Sequence, residues 1–231
     1  MRKSLLTAVV GGLVLCVCAA VTAAAARLPV TSVGISAFQV TDVEISTAPS
    51  LTTSTVDAAR DTFVDQRSPT SVNGSLGSLA STNGTKRVLV DGASRRVQNA
   101  RPLIAFDLSS VCPTAEIVSA TLEVTVTSGE SRHLASLRLD VNASAWSEGD
   151  TTWRSAPDVD AVGRAPTVSD SGAMVSFDVT DTLVGPEGHL DQSSAAALHG
   201  WRISNGHSTV FASREATDAT GPRLVLETGS C

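Results

Sequence analysis

Between Ile117 and Thr127 the chain reads IVSATLEVTVT. Val118, Ala120, Leu122, Val124 and Val126 occupy alternate positions, and Ser119, Thr121, Glu123 and Thr125 fill the places between them. Successive side chains of a strand point to opposite faces, so this run predicts a long, half-buried antiparallel strand. Leu137, Leu139 and Val141 alternate in the same way with Arg138, Asp140 and Asn142. Ser128 to Arg132 separates the two runs, and Gly129 suits a turn, so the two are expected to form a hairpin. Val175, Phe177 and Val179 alternate with Ser176, Asp178 and Thr180. Further strands are expected at Asp61 to Asp65, Arg87 to Asp91, Pro102 to Leu108, Gly200 to Ser204, Thr209 to Ser213 and Arg223 to Glu227.

Only Ala195 to Leu198 and the segment near Asp181 to Val184 carry a helical pattern. Asn83-Gly84, Asp91-Gly92, Asn205-Gly206 and Gly221-Pro222 place turns between the strands. Many short strands divided by turns specify a sandwich or barrel rather than alternating β and α units. The expected class is all-β: one antiparallel, jelly-roll-like β-sandwich from residue 58 to 231.

The pattern changes ahead of that domain. Arg2 and Lys3 precede an apolar run from Leu5 to Val21, and Ala23 to Ala26 supply small residues for a signal peptidase. Residues 1–26 therefore read as a signal peptide. The alternative is an uncleaved anchor, since Leu5 to Ala26 is uncharged and long enough to span a bilayer. Residues 27–57 are rich in Thr and Ser and hold apolar residues without a steady period. They read as an extended leader that docks one strand on the domain, with Thr47 to Thr55 as a linker.

The chain has 231 residues and a formal charge of −6, which becomes −8 once Arg2 and Lys3 leave with the signal. A mildly acidic protein without a basic stripe repels nucleic acid, so no nucleic-acid partner is expected. A membrane partner is expected only if residues 5–26 stay attached. After the signal, only Cys112 and Cys231 remain, an even pair in an oxidising compartment. They are predicted to form a disulfide, stabilising the fold by about 4–5 kcal/mol in the chain-entropy account.

The motifs fall in a recognisable order. Ala59 to Asp65 (ARDTFVD) is followed by Ser68-Pro69 and Asn73-Gly74, then by Arg101 to Ser109 (RPLIAFDLS). Ile117 to Leu122 (IVSATL) precedes Trp146-Ser147-Glu148 and Thr151-Thr152-Trp153, with Pro157 after them. Val175 to Thr180 (VSFDVT) and Phe211 to Glu215 (FASRE) complete the series. Together these resemble the DNRLRE domain, carbohydrate-binding module family 96, over about residues 58–228. The chain departs from that pattern at Ala105, where the family often has a basic residue, and at Val72 before Asn73-Gly74. The resemblance implies a secreted, non-catalytic β-sandwich that holds polysaccharide, anionic glycans included. A structural or adhesive surface sandwich is the alternative, and a polysaccharide-degrading enzyme is more distant.

The residues agree with a non-catalytic reading. There is no G-x-S-x-G, S-x-x-K or H-E-x-x-H motif, and the four histidines are scattered. Sugar sites often stack on aromatics, but the chain has three Trp, five Phe and no Tyr. Phe63, Phe106 and Phe177 sit in strands and are expected in the core. Trp146 and Trp153 read as anchors flanking a polar turn. A glycan would then be held by charge: Lys86, Arg87, Arg95, Arg96 and Arg101 form the one basic cluster, and guanidinium forks suit carboxylates or sulfates. Arg214-Glu215 reads as a structural ion pair. No cofactor is required. Calcium suits an exported sandwich, and Asp61, Asp107 and Asp178, at family-motif positions, are its candidate ligands.

Overall fold

The computed structural model describes residues 50–231; the expected signal segment and most of the leader lie outside them. The chain forms β1 (Thr52–Val64), β2 (Ser78–Thr82), β3 (Thr85–Val90), β4 (Ala93–Gln98), β5 (Arg101–Phe106) and β6 (Ile117–Ser128). Then follow α1 (Ser131–Leu134), β7 (Arg138–Asn142), β8 (Val159–Arg164), β9 (Thr167–Val168), β10 (Met174–Asp178) and α2 (Thr180–Leu183). The chain ends with α3 (Ala195–His199), β11 (Trp201–Ser204), β12 (His207–Ala212) and β13 (Arg223–Thr228).

All strand pairs are antiparallel, and the molecule is an all-β sandwich. One layer runs β9-β10-β6-β13 and ends on the first half of β1, where Thr52–Asp57 pairs with Thr228–Arg223. The other begins with the second half of β1, Ala58–Val64, and runs β5-β11-β7-β8. A register shift between Ala58 and Arg60 marks where β1 leaves one layer for the other. The strand thus starts at Thr52, inside the segment that composition reads as linker and leader. Its first six residues are Thr, Ser, Val and Asp, all exposed except the half-buried Val56, so they lack the alternation that signals a strand.

The layers meet through alternate side chains. Leu122, Val124, Val175, Phe177, Leu224 and Leu226 face Ile104, Phe106, Leu139, Trp201 and Ile203 in one buried cluster. The Phe106 and Trp201 rings meet edge to face at 6.0 Å. β5 is buried on both sides: Leu103 and Ala105 pack outward with Val64 and Trp146. A third cluster of Phe63, Ala80, Val88, Val90, Val97 and Val210 lies beneath the β3–β4 hairpin. That hairpin turns on Asp91 (φ 50°) and Gly92 (φ 72°), both in the left-handed region that a tight two-residue turn requires.

Two expectations are corrected. β6 and β7 do not form a hairpin: β6 pairs with β10, β12 and β13, and β7 pairs with β11 and β8. Between them α1 buries Leu134 in the interlayer core, which carries the chain across to the other sheet. Val118 also fails to point inward and is 45% exposed. The pairing jumps from Ile117↔Thr228 to Ser119↔Glu227, so Val118 is the extra residue of a bulge and Ile117 takes the buried place.

Cys112 and Cys231 are joined by a disulfide with Cα atoms 6.0 Å apart, closing a loop between positions 119 residues apart. Among the described residues no helix is long and apolar enough to cross a membrane.

Candidate functional site: an arginine-edged groove and a carboxylate cluster

Four of the five basic candidates lie on one hairpin. Lys86 stands opposite Val97, Arg87 opposite Arg96, and Val88 opposite Arg95. Val88, Val90 and Val97 turn inward, while Arg87, Arg95 and Arg96 are exposed. Among the described residues none of these cations makes an ion pair with a carboxylate. Arg95 and Arg96 edge an open groove, floored by Phe63 and Val97, whose other wall is the loop bearing Arg67, Ser68, Ser71 and Asn73. Asp65 also lines it, but its Oδ1 accepts backbone N–H bonds from Arg67 (3.0 Å) and Gln98 (2.8 Å). Asn73 donates to the Phe63 carbonyl at 2.9 Å, fixing that loop.

Arg101 is placed elsewhere. It lies over the Trp153 ring at 4.9 Å, and burial lowers its pKa. Arg202 lines the same small cleft and is lowered by burial, then by the Arg101 charge. Arg60 lies over Trp146 at 5.1 Å and donates to the Leu198 carbonyl. Trp146 Nε1 donates to the His199 carbonyl at 2.8 Å. The polar turn between the tryptophans is tied by its own side chains: Ser147 N–H donates to Thr151 Oγ1, and Thr152 N–H to Ser155 Oγ. No aromatic stands among the exposed large hydrophobic residues of the described chain.

The three aspartates proposed for calcium separate. Asp107 is exposed and accepts the Ser109 N–H at 3.0 Å, which holds its carboxyl below the usual range. Asp178 is lowered by the Thr180 hydroxyl and N–H that it accepts at the start of α2. Asp61 instead joins Glu148 and Glu215, with one oxygen of each within 4.8 Å of the others. Asp61 lies fully buried, and its Oδ2 accepts the Arg214 N–H at 2.8 Å. Arg214 reaches Glu148 at 3.0 Å and Glu215 at 2.6 Å, and donates to the Ala59 carbonyl. Burial pushes the Asp61 carboxyl up to about 8, against the Arg214 N–H bond and with help from both glutamates. Burial also raises Glu148, and the Arg214 guanidinium opposes it.

Glu148 and Glu215 were not among the candidate ligands. Each sits in a motif that the sequence displays, Trp-Ser-Glu and Ser-Arg-Glu, but they are far apart in the chain and only the fold joins them to Asp61. Two histidines also meet: the His133 and His207 rings stack at 4.1 Å beside Glu130.

The described residues form a two-layer antiparallel β-sandwich with an arginine-edged groove and no aromatic among their exposed large hydrophobic residues. Residues 52–228 match the model of carbohydrate-binding module family 96, and the chain belongs to that family. No curated protein sequence matches it.

Proposed function

We propose that the protein is an exported, non-catalytic module that holds anionic polysaccharide in the groove edged by Arg67, Arg95 and Arg96. The observation that carries this is the hairpin itself. Arg95 and Arg96 line an open polar groove and make no carboxylate ion pair among the described residues, and the Ser68 and Ser71 hydroxyls and the Asn73 amide beside them suit sugar hydroxyls. Family membership supports the carbohydrate, and the scarcity of exposed aromatics favours charge over ring stacking. The charged N-terminus with its apolar run, and the Cys112–Cys231 disulfide, support export.

Calorimetry of the full chain with a polyuronate, a sulfated polysaccharide and a neutral glucan tests the reading. At least one anionic polymer should bind, more weakly as salt rises, and the neutral glucan should not. The Arg95→Ala/Arg96→Ala variant should lose about tenfold or more in affinity. Equal binding of the neutral polymer, unchanged binding by that variant, or turnover of a polymer would each reject it. Binding to nothing, with the protein retained at the cell surface, would favour a structural role.

A further inference from the structure

We propose that Asp61, Glu148 and Glu215 form a divalent-cation site, with calcium the ion that fits their chemistry best. Their ligand oxygens already lie within 4.8 Å of one another, the spread that a single ion of this size can bridge. The second observation is Asp61 itself. It is fully buried, Oδ2 takes the Arg214 N–H at 2.8 Å, and Oδ1 is buried with no hydrogen-bond partner. A buried carboxylate oxygen without a donor is unfavourable, and a cation relieves it. When the ion displaces the Asp61 proton to solvent, three carboxylates against one guanidinium leave two surplus negative charges, which the divalent ion cancels. The donors are all oxygen, which selects a hard ion over zinc or copper.

The fold presses these groups together. A Cβ on Gly74 would sit 2.4 Å from Glu148 Cγ and 2.5 Å from the Glu148 carbonyl oxygen. Only glycine lets the 72–75 loop lie against Glu148 and hold it toward Asp61. An open depression lined by Val72, Ser75, Gly149 and Glu215 gives the ion a path in. The same loop supplies Ser71 and Asn73 to the arginine groove, so a bound ion would also brace that wall.

The test strips the full chain with EGTA and titrates calcium without any glycan present. One calcium per chain should bind by calorimetry, with a Kd of roughly 0.1–1 mM or tighter. At tenfold excess over Kd the Tm should rise by roughly 3–6 °C, and magnesium should do much less. Asp61→Asn and Glu148→Gln should each abolish the heat, Glu148→Gln serving if Asp61→Asn does not fold. Asp107→Asn should bind as the parent does. The absence of both heat and Tm shift in the parent overturns the proposal, as does parental binding by Glu148→Gln. Failure here leaves the arginine groove untouched, because the groove is tested by glycan binding alone.

Discussion

Arginines in two regions of this sandwich do opposite things. Around the loop from Trp146 to Trp153, Arg60 and Arg101 lie over indole rings and Arg60 bonds a backbone carbonyl. On the β3–β4 hairpin, Arg87, Arg95 and Arg96 project into solvent over a strip of buried valines. A guanidinium held against a ring and partly buried is part of the packing. One held out by a short strand, with no carboxylate to meet, has its donors free for a ligand. Residue type alone says nothing of the division. The neighbours decide it.

The largest expected effect strikes the packed region. Trp146→Ala removes an almost buried indole, its bond to the His199 carbonyl and the surface under Arg60, and should cost about 3–5 kcal/mol in chemical unfolding. If the cost falls below that of an ordinary surface change, Trp146 is not a structural anchor. Next is the cluster around Arg214, where carboxylates replace the rings. In the unfolded chain the Asp61 carboxyl returns to about 3.8, whereas the folded state holds its proton to about 8. The folded state therefore binds more protons between these values, and stability should fall as pH rises from roughly 4 to 8. Glu148, Glu215 and Arg214 are the charged groups facing it. The difference in Tm between parent and Asp61→Asn, both in EGTA, should shrink or reverse across that window in step with the loss. A parent that gains stability relative to the variant as pH rises would contradict the assignment.

The hairpin should respond in binding rather than stability. Arg95→Ala/Arg96→Ala should leave the unfolding midpoint within the spread of ordinary surface changes, about 0.5 kcal/mol, while glycan affinity drops about tenfold. Arg101→Ala should do the reverse on a smaller scale. It should lose about 0.5–1 kcal/mol of stability with its ring contact and keep its affinity for glycan. An exchange of these outcomes would invert the comparison.

Much of the fold is legible in the sequence because alternation is a local signal. It locates β6, β7, β10 and most of β5, and the apolar helix segments become α2 and α3. What it misses has physical causes. β4 reads ASRRVQ, with only Val97 buried, so no alternation marks it. β2 is buried almost throughout, polar Ser81 and Thr82 included, since it pairs with β12 and packs Ala80 against the valines of the hairpin. The bulge at Val118 inverts one side chain without a trace in composition. The β6–β7 hairpin failed because contiguity in sequence does not reveal a change of layer. The site divides likewise. Arg95 and Arg96 can be read from a cluster of like charges, whereas Arg101, close by in sequence, is turned by β5 toward Trp153. Asp61, Glu148 and Glu215 come together only through tertiary contacts.

The double membership of β1 reaches beyond the sandwich. Thr52, where the strand begins, stands opposite Thr228, three residues before Cys231. The domain therefore admits and releases its chain at one spot. A neighbour joined ahead of Thr52 and another joined after Thr228 would be attached at the same end, like two cords tied to one ring. Tension between the two cords would load the β1–β13 ladder at its Thr52–Thr228 end, so the pairings would peel one by one from that end rather than give way together.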